Sequence, residues 1–168
     1  MTRTIGGFLM VACLLPGLSC INPFAPRLDN SLAGATYDLT TSDGIFKAFQ
    51  TAYSTRDTTI YGQLLDAGFT FLYHDYEQDL DVTWGRDEEL RTTNGLFQNV
   101  QRLDLIWNNV LSTSEDSSRL VIQRGFNLNV TFNPSDIERV FGYASLTLRR
   151  DQPHGPWKIV LWIDQSNN

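Results

Sequence analysis

The chain has 168 residues, 13 Lys+Arg against 19 Asp+Glu, and a formal net charge of −6. A pI near 4.7 argues against nucleic acid as a partner, since that role needs a basic face to displace counterions. A content of 42% hydrophobic and 12% aromatic residues argues against global disorder. Two Cys cannot make a disulfide-dense scaffold, and a Cys-based zinc site would need both His residues as well, so neither metal nor cofactor is expected.

Both Cys lie at the N-terminus, at positions 13 and 20. Arg3 supplies a basic start, Ile5 to Leu15 an apolar run, and Pro16-Gly17-Leu18-Ser19 a small-residue stretch before Cys20. That is the pattern of a secretory signal. The run is too short for a membrane span, which needs about 20 apolar residues. Leu18-Ser19-Cys20 resembles the lipobox of bacterial lipoproteins, with Gly17 departing from the usual Leu or Val. The resemblance implies removal of residues 1–19 and acylation of Cys20; the alternative is a plain signal with a chance Cys. Acyl chains would anchor the chain to a membrane at about 0.8 kcal/mol per buried methylene. Ile21 rather than Asp after the Cys implies, by the same resemblance, the cell envelope: the periplasmic side of the outer membrane or the cell surface. The processed chain would carry a charge of −7 and no disulfide, since Arg3 and Cys13 leave with the signal. Residues 20–40, with Pro23, Pro26 and Gly34, read as the lipidated Cys and a tether, and residues 41–168 as the domain.

Thr40 and Asp43 have capping-box spacing. Ile45, Phe46, Phe49, Ala52 and Tyr53 then recur at three and four, predicting a helix with one apolar face. Asp57 can cap a second helix that buries Ile60, Tyr61, Leu64 and Leu65 and stops at Gly68. Phe69 to Tyr73 reads as a strand, followed by an acidic ladder of Asp75, Glu77, Asp79 and Asp81. The ladder lacks the Gly of a calcium loop and reads as a solvated loop or edge. Gly85 to Glu89 opens a third helix with acids in its first turn and Leu90, Leu96 and Phe97 as its apolar face. The rest is β. Leu103, Leu105, Trp107 and Leu111 alternate, and so do the even positions from Ser118 to Phe132. A further strand spans Ile137 to Arg150, where Ile137, Phe141 and Tyr143 take the opposite parity from Ala144, Leu146 and Leu148. A bulge near Gly142 or two covered faces would explain the switch. Trp157 to Ile163 closes the sheet.

This order of elements, the helical pair FKAFQTAYSTRDTTIYGQLLDAGFTFLY, the helix entry WGRDEEL and the terminal strand WKIVLWI resemble the nuclear transport factor 2-like superfamily, SnoaL-like domains included. The resemblance implies an α+β cone: a curved, mostly antiparallel sheet wrapped around three N-terminal helices, with a pocket. It implies isomerase, cyclase or dehydratase chemistry in some members and noncatalytic binding or dimerisation in others, so the fold does not decide activity. Neither a Gly-x-Ser-x-Gly elbow nor a phosphate or dinucleotide loop is present. Tyr73, His74, Asp75 and Asp104 are the residues available for acid–base roles, and none matches a catalytic motif. Tyr53, Trp84, Trp107, Tyr143 and Trp162 are candidates to line an apolar pocket, or else simply core. The expected function is a membrane-anchored, noncatalytic domain that takes a small apolar ligand or a protein partner, with a homodimer through the sheet as one option. An acid–base enzyme and an envelope assembly component are the alternatives.

Overall fold

A computed structural model describes residues 37–166; the expected signal, Cys20 and most of the tether lie outside them. Helix α1 (Ser42–Thr55) is capped by Thr41, whose hydroxyl accepts from Gly44 N–H at 3.1 Å. The cap sits one residue beyond the expected Thr40, because Thr40 donates its hydroxyl to Asp38 at 2.6 Å. The face carrying Ile45, Phe46, Phe49, Ala52 and Tyr53 is buried, as the three-and-four spacing requires. Asp57 caps α2 (Thr58–Leu64), accepting from the N–H groups of Thr59 and Ile60.

Gly68 does not end α2. The helix stops at Leu64 and runs straight into strand β1 (Leu65–Asp75), which contains Gly68. Leu65, Phe69 and Phe71 are buried there, and β1 pairs in parallel with β6 (Lys158–Ser166). Burial of three apolar side chains together with the ladder bonds outweighs a local stop signal. The acidic ladder is a hairpin. Asp75 accepts from the N–H groups of Glu77 and Gln78, Asp79 takes a left-handed conformation, and β2 (Leu80–Gly85) returns along β1. β2 is an edge strand, where charge discourages pairing with another chain.

Helix α3 (Arg86–Asn99) leads to three long antiparallel strands, β3 (Arg102–Glu115), β4 (Arg119–Asn133) and β5 (Asp136–Arg149). The sheet order is β2-β1-β6-β5-β4-β3, so this is an α+β fold with one mostly antiparallel curved sheet and three helices. β4 alternates as expected, with Leu120, Ile122, Phe126 and Val130 buried. In β3 the register shifts between Trp107 and Val110 and again before Ser112, and Leu111 ends up exposed rather than on the inner face.

β5 pairs with β4 without a shift from Arg149 to Ile137, so no bulge sits at Gly142. The parity switch places Ile137, Phe141 and Tyr143 on the outer face, about half exposed. Gly142 serves a different purpose. A Cβ there would stand 2.4 Å from the carbonyl oxygen of Gln165 and 2.5 Å from Ser166 Cα, so only Gly lets β6 approach this closely. The core fills the space between the helices and the inner face of the sheet. Trp157, fully buried, sits beneath the Arg150 guanidinium at 4.1 Å and donates its backbone N–H to Leu39. No helix among the described residues is long and apolar enough to cross a membrane.

Candidate functional site

A cavity of about 340 Å3 lies between the helices and the inner sheet face. Its walls follow from two local periodicities. On strands, every second residue faces it: Leu105 and Trp107 from β3, Phe126, Leu128 and Val130 from β4, and Trp162 and Asp164 from β6. On α3, Glu89, Thr92, Thr93 and Leu96 share one face by three-and-four spacing. α1 contributes Phe49 and Tyr53, β1 Phe71 and β2 Trp84. Thr92 is exposed and Leu96, Leu128 and Val140 are half-buried, which puts the more open side between α3 and the adjoining ends of β4 and β5.

The aromatic walls interlock. Phe49 meets Tyr61, Trp107 and Trp162 edge-on at 5.3, 5.4 and 5.3 Å. Phe71 stacks on Trp84 at 4.4 Å and meets Trp162 edge-on at 5.1 Å. These are favourable offset and edge geometries that hold the rings in place.

Two carboxyl groups enter this apolar space, and their surroundings differ. Glu89 is 4% exposed. Its Oε1 accepts from the Tyr61 hydroxyl at 2.5 Å and the Thr93 hydroxyl at 3.0 Å, and its Oε2 from the Trp84 indole N–H at 2.7 Å. Three donors on two oxygens is the arrangement of an acceptor-only carboxylate. Glu89 also sits in the first turn of α3, where the helix dipole favours negative charge. Asp164 is poorly served by comparison. Its Oδ2 accepts from the Ser166 hydroxyl at 3.0 Å, while its Oδ1 is buried with no hydrogen-bond partner. Burial pushes its carboxyl above the ordinary aspartate range, against the lowering effect of the Ser166 hydroxyl and of the Ser166 and Gln165 backbone N–H groups, with a smaller upward push from Glu89. Burial likewise raises the Tyr53 phenol, again helped by Glu89, so that hydroxyl keeps its proton. The indole N–H groups of Trp107 and Trp162 are also buried without a partner. An unsatisfied buried polar group costs about 1–3 kcal/mol, and these three belong to residues that line the cavity.

Of the expected pocket residues, Tyr53, Trp84, Trp107 and Trp162 line this cavity, while Tyr143 belongs to the outer face and is 46% exposed. The four acid–base candidates lie outside it. Tyr73 is half-buried behind Trp84, at 5.7 Å between ring centres. His74 faces the hairpin, where a hydrogen bond with Asp81 at 2.9 Å raises its pKa, with Asp79 adding to the effect. Asp75 holds the hairpin turn, and Asp104 pairs with Arg102 at 2.8 Å. Among the described residues, no group of three His, Cys, Asp or Glu is arranged to hold a metal ion.

The two carboxyl groups that do enter escaped sequence reasoning. Glu89 reads as a dipole-complementing acid, and Leu90 and Leu96 as the buried face. The buried stripe of α3 is instead Glu89, Thr93 and Phe97, at i, i+4 and i+8, with Leu90 and Leu96 only half-buried. Asp164 follows the apparent end of the last strand, but it shares the parity of Trp162, and that was the available signal.

No family model matches this sequence, and no curated protein matches it. Solved structures do. A conserved protein from Planctomyces limnophilus superposes with a TM-score of 0.64 at 15% identity, covering 74% of this chain and 91% of that one. A candidate dehydratase of the nuclear transport factor 2-like family from Streptomyces avermitilis gives 0.58 at 19% identity, over 75% and 93% of the two chains. A candidate scytalone dehydratase from Novosphingobium aromaticivorans gives 0.60 at 12% identity, over 75% and 81%. At these identities the likeness is one of fold, and the domain has the fold of nuclear transport factor 2-like proteins.

Proposed function

We propose that the domain binds a small, largely apolar ligand in the aromatic cavity, with Asp164 as a polar contact. One observation carries the reading: an aromatic cavity of about 340 Å3 between the helices and the inner sheet face, with only a few polar residues, Asp164 among them, in its lining. Ligand sites share this composition, with apolar walls and a few placed polar groups. The test uses phenylbutanol as a neutral probe and follows the fluorescence of the tryptophans in the wall. Val140→Trp places a large side chain at the more open side of the cavity. It is expected to abolish the fluorescence response while far-UV circular dichroism stays that of the parent. An unchanged titration in the variant would move the ligand site elsewhere.

The second reading is acid–base chemistry on that ligand. It is favoured by the two unlike carboxyl groups, Glu89 held by three donors and Asp164 raised by burial. Carboxyl groups in surroundings this different can divide acid and base roles between them. Two of the structurally similar proteins carry dehydratase names, which is consistent with this reading.

The cellular setting we propose comes from the N-terminal sequence alone: acylation at Cys20 holds the domain at a membrane of the cell envelope. Cys20→Ala is expected to release the protein from the membrane fraction. Retention of the variant there, still labelled by fatty acid, would overturn the assignment.

A further inference from the structure

The charge inventory of the cavity is one-sided. Its lining includes two carboxyl side chains, Glu89 and Asp164, and contains no Lys, Arg or His. A basic group does lie nearby, but Arg124 is stacked over Phe46 at 4.8 Å and lines a separate cleft beside α1. An anionic ligand would therefore enter a low-dielectric space facing two acids and no counter-charge, which Coulomb repulsion opposes strongly. The walls point the same way. Aromatic rings carry negative faces, which attract a desolvated cation. Trp84 and Trp162 flank Phe71, and Trp107 and Trp162 flank Phe49, so aromatic surface is continuous around much of the space.

From this we infer that the ligand is a protonated organic amine with an apolar body, its ammonium group meeting the Asp164 carboxyl group. The assignment between the two acids follows from their partners. Both Glu89 oxygens are taken by donors from Tyr61, Thr93 and Trp84, so Glu89 contributes negative potential rather than a contact. Asp164 Oδ1 is the carboxyl oxygen without a partner. An ammonium–carboxylate hydrogen bond is among the strong ones, and a cation supplies the counter-charge this buried acid lacks. A volume near 340 Å3 is at the small end for ligand sites and limits the body to a compact apolar group.

The inference rests on the cavity being the ligand site, and a matched probe set separates the two ideas. Phenylbutylamine, phenylbutanol and phenylbutyrate share one apolar body and differ in charge. Titrated against the protein at neutral pH, the amine is expected to bind at least about tenfold tighter than the alcohol, and the acid weakest. In Asp164→Asn the amine is expected to fall to the affinity of the alcohol, while alcohol binding is retained and shows that the cavity is intact. If the alcohol binds as well as the amine, or the acid binds best, the cationic ligand is wrong and the cavity site stands. A tenfold preference that survives in Asp164→Asn removes Asp164 as the contact and overturns the inference as stated. If none of the three binds, the cavity site fails with it. Should Asp164→Asn not fold, the amine-to-alcohol ratio of the parent protein alone decides the ligand class.

Discussion

Glu89→Ala is expected to lower the stability of the domain by about 3–5 kcal/mol, read as a shift of the urea unfolding midpoint, because it leaves three donors without their acceptor. Three donors converge on this one side chain: the Tyr61 hydroxyl, the Thr93 hydroxyl and the Trp84 indole N–H. Tyr61 is fully buried and Thr93 is 4% exposed, so neither hydroxyl can turn to bulk solvent when the carboxylate is gone. Each stranded donor costs about 1–3 kcal/mol, and the three are coupled rather than additive. Since domains of ordinary size are stable by about 5–15 kcal/mol, the loss takes a large share of the total. Glu89→Gln keeps one strong acceptor and is expected to lose less. The substitution also releases Trp84 from α3, so the near-UV circular dichroism of the stacked Phe71–Trp84 pair should weaken. A midpoint for Glu89→Ala within error of the parent would show that the donors have other partners and that Glu89 is no structural centre.

Phe49→Ala ranks beside it. Phe49 is 1% exposed and lies at the junction of α1 with the cavity, within 5.0 to 5.4 Å of the rings of Tyr53, Tyr61, Trp107 and Trp162. Truncating a buried Phe costs about 3–5 kcal/mol through lost transfer energy and the void left behind. Here the void joins an existing cavity, and the interlocked rings have nothing to collapse onto. The expected result is a stability loss in that range together with weaker binding of phenylbutanol, because one wall of the site is gone. A loss below about 1 kcal/mol would mean that the ring cluster repacks, and the rigid geometry argued for the cavity would not hold.

Much of this was legible in the chain. The alternation of Leu120, Ile122, Phe126 and Val130 specifies a long strand with one wet face whatever it later packs against, since side chains on a strand alternate with period two. The spacing of Ile45, Phe49, Ala52 and Tyr53 specifies an amphipathic helix, and Asp57 marks a start that its own side chain then makes. Four of the five aromatic residues read as pocket candidates line the cavity: Tyr53 from the buried face of α1, and Trp84, Trp107 and Trp162 from inward-facing strand positions. Tyr143 is large and aromatic as well, but it has the wrong parity.

Periodicity and capping signals thus specify the three helices and the strands β1 and β3 to β6 in their order, whereas β2 emerges only from its pairing with β1. Tertiary structure also decided what the faces of these elements meet. Leu65 enters a strand where Ile159 of β6, some ninety residues away in the chain, pairs with it, and regular pairing resumes at Thr70. Ile137, Phe141 and Tyr143 face outward because β5 keeps its register with β4 across Gly142. Glu89 and Asp164, separated by 75 positions, share one cavity because α3 and β6 converge there. Local periodicity reports the few neighbours within one turn or one pleat, whereas burial and the shift of an acid's pKa depend on contacts summed over several distant elements. That sum exists only once the sheet has curved around its helices.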